Sequence, residues 1–197
     1  MDKELLLNRE KEIYEKYQNI VTPYIMELEV RDSEYPIEIM NEIRAIFTHL
    51  SRYKLQMSEK DLSSAENHMK RAILDCYKYL CISISEEIYN FRERYRKVDL
   101  KIADNGCFLP ELDRLESIAK ETFIKAKKSE IQKLDEDNQY ELYEKAYISY
   151  CNIEKHLENS HNAILFASSH SKKSNFINII ACIFTVISII VTIVAIV

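Results

Sequence analysis

The sequence predicts an all-α protein, an elongated antiparallel helical bundle ending in one C-terminal transmembrane helix. Three observations carry this. One Gly and three Pro among 197 residues leave little to interrupt a helix. Apolar residues recur at helical spacing over most of the chain, without strand-like alternation. The last 22 residues, Phe176 to Val197, contain no charge, no Gly and no Pro. At about 1.5 Å per residue that run is about 33 Å long, enough to cross a hydrocarbon core of about 30 Å.

The first helix is expected from about Lys3 to Leu28. Ile13, Tyr17, Ile20, Tyr24 and Leu28 share its apolar face, and Pro23 kinks it or restarts it. Ser33 and Pro36 open a second helix reaching about Met57, with Pro36 placed early, where its missing N–H is harmless. The expected apolar face of that helix is Met40, Ile43, Ile46, Phe47 and Leu50. Ser58 or Asp61 caps a third, very long helix running towards Lys101, with a buried stripe from Leu62 and Ala65 through Met69, Ala72, Ile73 and Cys76 to Leu80. Asn105-Gly106 is the clearest stop signal. Pro110 opens a fourth helix, Glu111 to about Leu134, which the acidic stretch 135–138 ends. A fifth runs from Gln139 to about Phe166. Its Tyr140, Tyr143, Tyr147 and Tyr150 form a core or subunit-contact stripe. The expected organisation is a cytosolic bundle over 1–167, a polar linker over 168–175 and a membrane helix over 176–197.

The net charge of −5 gives no overall attraction for nucleic acid, so any anion site must be a local patch. Cys76, Cys81, Cys107, Cys151 and Cys182 show no metal-ligand spacing and read as free thiols in a reducing compartment. Met1–Glu12 is charged throughout, so no signal sequence is expected. Lys172 and Lys173 precede the apolar run and no cation follows it, which places the large domain in the cytoplasm. The absence of Trp, with abundant Ile, Lys, Asn and Tyr, suggests an AT-rich bacterial genome. The expected location is therefore a bacterial inner membrane, crossed once.

Four polar residues interrupt the apolar run: Asn178, Thr185, Ser188 and Thr192. At helical periodicity they fall within an arc of about 80°. A stripe of hydroxyls and an amide is better satisfied by a neighbouring helix than by lipid. Two readings follow: hydrogen-bonded packing within a homo-oligomer, or the lining of a narrow aqueous pore. Both require several copies of the chain.

A second constellation lies on the second and third helices. Arg44, Thr48 and Arg52 stack on successive turns, with His49 to their side. His68, Arg71, Asp75 and Lys78 line one edge of the third helix. If the two helices are antiparallel neighbours, these edges can meet and present guanidinium, ammonium and hydroxyl donors suited to phosphates. Tyr35, Tyr53, Tyr77 and Tyr79 offer stacking surfaces nearby. The competing reading pairs Arg44 and Arg71 with Glu38, Glu42 or Asp75, purely to hold the bundle together. No metal site, cofactor or catalytic residue is expected, because there is no clustered ligand set, no Gly-rich loop and no nucleophile motif. Arg92, Arg94, Arg96 and Lys97 with Tyr95 form a further basic cluster. Glu86, Glu87 and Glu93 dilute it, so a solvated face is expected there, with contact to anionic lipid or a nucleic acid strand as the alternative.

The stretch Tyr35-Pro-Ile-Glu-Ile-Met-Asn-Glu-Ile-Arg-Ala-Ile-Phe-Thr-His-Leu-Ser-Arg52, followed by His68-Met-Lys-Arg-Ala-Ile-Leu-Asp-Cys-Tyr-Lys78 and the terminal apolar helix, resembles the small membrane effectors of bacterial anti-phage defence, most closely those of the Hailong type. The resemblance implies a cytosolic helical domain that oligomerises, as a tetramer, around a membrane ion channel. It also implies a partner nucleotidyltransferase that makes short deoxyadenylate strands, whose binding holds the channel shut. Related effectors respond with the opposite sign. The resemblance carries no binding residues of its own. The residues that this chain offers to a short single-stranded DNA or nucleotide signal are Arg44, Thr48, Arg52, His68, Arg71 and Lys78. The alternative is a non-conducting, tail-anchored helical scaffold that recruits a protein partner to the membrane.

Overall fold

The computed structural model describes the backbone over 3–33, 35–132 and 136–196, and side chains over 4–33, 35–132, 138–174 and 176–187. All regular structure among these residues is helical. Helix α1 (Lys3–Lys16) passes through one π turn (Tyr17–Val21) into α2 (Thr22–Asp32). Pro23 explains that turn. It has no N–H to offer the carbonyl one turn back, and the helix widens just before it. The Tyr17 carbonyl accepts from the Thr22 backbone N–H and also, at 3.0 Å, from the Thr22 hydroxyl. Pro23 thus sits in the first turn of α2, the second piece that the sequence offered, joined to α1 through the π turn.

Ser33 closes α2 in the left-handed region (φ 55°), its N–H donating to the Glu29 carbonyl at 3.0 Å. Pro36 then precedes α3 (Ile37–Gln56). Met57, again left-handed (φ 50°), and Ser58 make the whole connection to α4 (Glu59–Tyr95). Ser58 acts as the cap, its hydroxyl accepting from the Asp61 N–H at 3.4 Å. Such a short connection forces α3 and α4 to run antiparallel. Three cross-contacts record the register: His49 to Asp61 (3.0 Å), His68 to Glu42 (2.7 Å) and Tyr79 to Glu38 (2.6 Å).

Helix α4 stops at Tyr95, short of the expected Lys101. A 3-10 turn (Leu100–Gly106) follows, with Asp104, Asn105 and Gly106 all at positive φ. Gly106, at φ 90°, occupies a conformation that other residues rarely adopt. Helices α5 (Phe108–Ile131), α6 (Glu136–Asn159) and α7 (His161–Ile196) complete the chain. The expected linker over 168–175 is helix instead. The 161–196 segment has no Gly or Pro, and its serines are weak breakers once packing holds the turn. The Ser169 hydroxyl, for example, donates back to the Phe166 carbonyl at 2.8 Å.

The chain forms two compact units. The first comprises Met1–Glu87 with Glu116–Asn152. Its core joins Val21 and Leu28 to Ile39, Ile46 and Leu50, to the α4 stripe from Leu62 to Leu80, and to Ala126 and Tyr143. Every residue of the expected α4 stripe is buried. Each fully buried Leu or Ile of this kind contributes about 1.5–3 kcal/mol relative to exposure. The second unit comprises Ile88–Leu115 with Ile153–Val197, centred on Phe108, Leu112, Ile153, Ile164 and Ala167. Within it the Asp99 N–H donates to the buried Ser171 hydroxyl at 2.9 Å, tying the 3-10 turn to α7.

Among the described residues no helix is long and apolar enough to cross a membrane. Side chains in the terminal run are described as far as Ile187, so those of Ser188 and Thr192 lie outside the description. Asn178 and Thr185 are exposed, and the Thr185 hydroxyl donates to the Ala181 carbonyl at 2.9 Å.

Candidate functional site

The buried face of α3 is Ile39, Ile46, Leu50 and Tyr53, with Ile43 partly covered. This corrects the expected face: Met40 and Phe47 are 45% and 43% exposed. The helix is held in this rotation by Glu38, Glu42 and His49, which all face α4. Phe47 is thereby turned outward, its ring in a T-shaped arrangement with that of Tyr17 (centroids 5.5 Å apart, planes at 83°).

That rotation builds an open surface groove of about 510 Å³ lined by Arg44, Phe47, Thr48, Ser51 and Arg52. All five are exposed. The Thr48 hydroxyl donates to the Arg44 carbonyl at 2.8 Å, and its lone pairs remain available to a ligand donor. Among the described residues Arg44, Arg52 and Arg71 make no ion pair within 4.0 Å. Glu42 is taken by His68, Glu38 by Tyr79 and Asp75 by Lys78, so the structural pairing expected for Arg44 and Arg71 is not formed. Arg52 exerts a longer-range pull on Asp61. That carboxyl lies below its ordinary range, chiefly because His49 donates to it, then because of Ser58.

The other expected members lie elsewhere. His68 is half-buried between α3 and α4, its Nδ1 donating to Glu42. Its ring stacks on that of His49 (centroids 5.3 Å apart, planes at 18°), which donates to Asp61. This paired clasp was not legible in the sequence, because it needs the register of α3 against α4. Lys78 is 3.2 Å from Asp75 and 3.4 Å from Glu130, and lies 5.5 Å above the Tyr143 ring. The Tyr143 hydroxyl donates to the same Glu130. Lys78 therefore fastens α4 to α5 and α6. Arg71 is exposed on α4, outside the α3 groove. The structure thus brings Arg44, Thr48 and Arg52 together and does not join His68, Arg71 or Lys78 to them. It adds Phe47 and Ser51, which sequence reasoning missed. The signal for Phe47 was present: Ile39, Ile43, Ile46, Leu50 and Tyr53 form an unbroken helical core set that leaves Met40 and Phe47 outside.

Lys78→Met is expected to lower stability by about 1–3 kcal/mol, because Asp75 loses its cation and Glu130 keeps only the more distant Lys127 at 3.9 Å. Chemical denaturation checks this. Affinity for short single-stranded DNA should stay within about twofold, the expectation for a residue making no phosphate contact. A large loss of affinity at unchanged stability would return Lys78 to the ligand set.

Among the described residues no group of three or more His, Cys, Asp or Glu side chains is placed to hold a metal ion. Tyr143 is fully buried and Tyr150 nearly so, which makes the tyrosine stripe of α6 core. Compared with known families, with curated proteins and with solved structures, the chain finds no match in any of the three.

Proposed function

We propose that this chain is a self-associating, single-span membrane effector of anti-phage defence. Its helical domain binds a short single-stranded DNA or nucleotide signal along α3, and binding controls ion flow through helices formed by 176–197. One observation carries the ligand half: two arginines without ion-pair partners flank a half-exposed Phe and two hydroxyls in one open groove. Free guanidinium groups suit phosphate oxygens, and an exposed aromatic face suits a base. Arg44 and Arg52 are about 12 Å apart along the helix, which favours a strand with several phosphates over a mononucleotide. The length of the apolar run and the one-sided placement of Asn178, Thr185, Ser188 and Thr192 support insertion beside other copies.

Arg44→Gln with Arg52→Gln is expected to weaken oligodeoxynucleotide binding by about tenfold or more and to reduce the log–log salt slope by about 0.7 per arginine. Fluorescence anisotropy over a salt series reads both. Unchanged affinity and slope would remove the groove from the proposal. In liposomes, replacing Thr185, Ser188 and Thr192 by Val should abolish ion flux while oligomers persist.

A second reading, the non-conducting tail-anchored scaffold, is favoured by exposed apolar side chains around the α2–α3 connection: Val30, Tyr35, Ile37 and Ile82. It requires that no flux be seen with or without ligand.

A further inference from the structure

The geometry points to a second anionic site, for lipid headgroup phosphates, built where the 3-10 turn docks on α7. Lys97 and Lys101 each lie two residues from Asp99, whose N–H is bonded to the Ser171 hydroxyl at 2.9 Å. Lys172 and Lys173 follow Ser171 directly and are exposed, as are Arg96, Lys97 and Lys101. Five cations from two distant stretches of sequence are therefore gathered at one level of α7. The acids nearest in sequence are Glu93, Asp99 and Asp104. Glu93 meets Arg96 at 3.6 Å, but both are more than half exposed, and such pairs hold weakly. The Asp99 carboxylate accepts from the Lys101 N–H at 3.2 Å, an engagement with backbone that leaves the Lys101 ammonium free to reach outward. Arg92 is committed to Asp113 at 2.6 Å.

Beside this cluster is a hollow of about 210 Å³ whose lining includes Phe91, Tyr95, Arg96 and Lys101. Cations beside an aromatic floor match a glycerophosphate headgroup with its first acyl carbons, and Tyr prefers that interfacial depth. Height along α7 favours lipid over a nucleic acid strand. Ser171 lies five residues before Phe176, about 7.5 Å along the helix axis, so the cluster is within about one Debye length of the headgroups. This rests on the reading of 176–197 as membrane-inserted. It gives the domain a preferred seating on anionic bilayers, which a single tether does not supply.

The test uses the full-length chain in phosphatidylcholine vesicles carrying spin-labelled phosphatidylglycerol or spin-labelled phosphatidylcholine. Each cation near an anionic surface is worth about fivefold in association. The wild type should favour phosphatidylglycerol by at least that factor. Arg96→Gln, Lys97→Gln and Lys101→Gln together should lower the preference at least about fivefold, Lys172 and Lys173 retaining the rest, with the helical signal unchanged. No preference in the wild type, or an undiminished one in the triple variant, overturns the site. So does single-stranded DNA that binds the wild type and not the triple variant while lipid preference is absent. Extraction by alkaline carbonate is read separately. A chain that is extracted fails as a spanning protein. The headgroup site is then judged by flotation with phosphatidylglycerol vesicles, where equal flotation of wild type and triple variant overturns it.

Discussion

Truncation of Phe108 to Ala is expected to destabilise the second unit by about 3–5 kcal/mol. The ring is fully buried. It stacks on His156 (centroids 5.2 Å apart, planes at 16°) and meets Phe91 edge-on at 6.0 Å. Removing it opens a void between α4, α5 and α6 that the surrounding helices cannot close, because Leu112 and Ile153 are already fully buried. His156 keeps one hold, since its Nε2 bonds to the backbone carbonyl of residue 108 at 3.1 Å, which the substitution leaves in place. The loss should therefore appear as lower stability with secondary structure intact. Denaturation of the full chain followed by circular dichroism reads it. Phe108→Leu should recover more than half, because it refills most of the volume. A cost for the Ala variant below about 1 kcal/mol would mean that the site relaxes freely and that Phe108 is no keystone of its unit.

The second large effect is expected at Arg9, which joins α1 to α4. Its guanidinium forms a two-pronged pair with Glu66 (Nε to Oε1 2.8 Å, Nη2 to Oε2 2.7 Å). It also reaches the Ser63 hydroxyl at 2.9 Å and Glu59 at 3.1 Å. The Glu66 hydrogen bonds hold the guanidinium pKa above its ordinary value against the opposing effect of burial. The Arg9 and Glu66 side chains are 22% and 27% exposed, so water replaces the lost partner only in part. Arg9→Ala is expected to cost about 2–3 kcal/mol, the cost of stranding a partly buried carboxylate. Arg9→Lys should recover less than half, because an ammonium cannot match both carboxylate oxygens in parallel. Full recovery by Lys would reduce the contact to simple charge pairing.

The fold class was written plainly in the scarcity of Gly and Pro and in the stripe from Leu62 to Leu80. Helix ends were less legible. Pro23 is compatible with a kink or a fresh start, and the π turn that joins α1 to α2 leaves no mark in the apolar spacing. Residues 168–175 look like a linker by composition, yet Ser171 is buried against Asp99, and that tertiary contact overrides weak local preference. The candidate site was half legible. Arg44, Thr48 and Arg52 follow from helical spacing alone. The fate of His68 and Lys78 depends on which carboxylates α3 and α5 bring to them, and Glu42 and Glu130 carry no sequence mark of that role.

The unbroken course of α7 has a mechanical consequence. A loop between a domain and its apolar tail absorbs rotation; a stiff rod delivers it. Ile164, Ala167 and Ser171 grip the rod within the second unit, and the same rod continues through Phe176 to Ile196. Any roll of that unit about the rod turns the far end through the same angle. Torque applied at Ser171 would then arrive undiminished at the turns carrying Asn178 and Thr185.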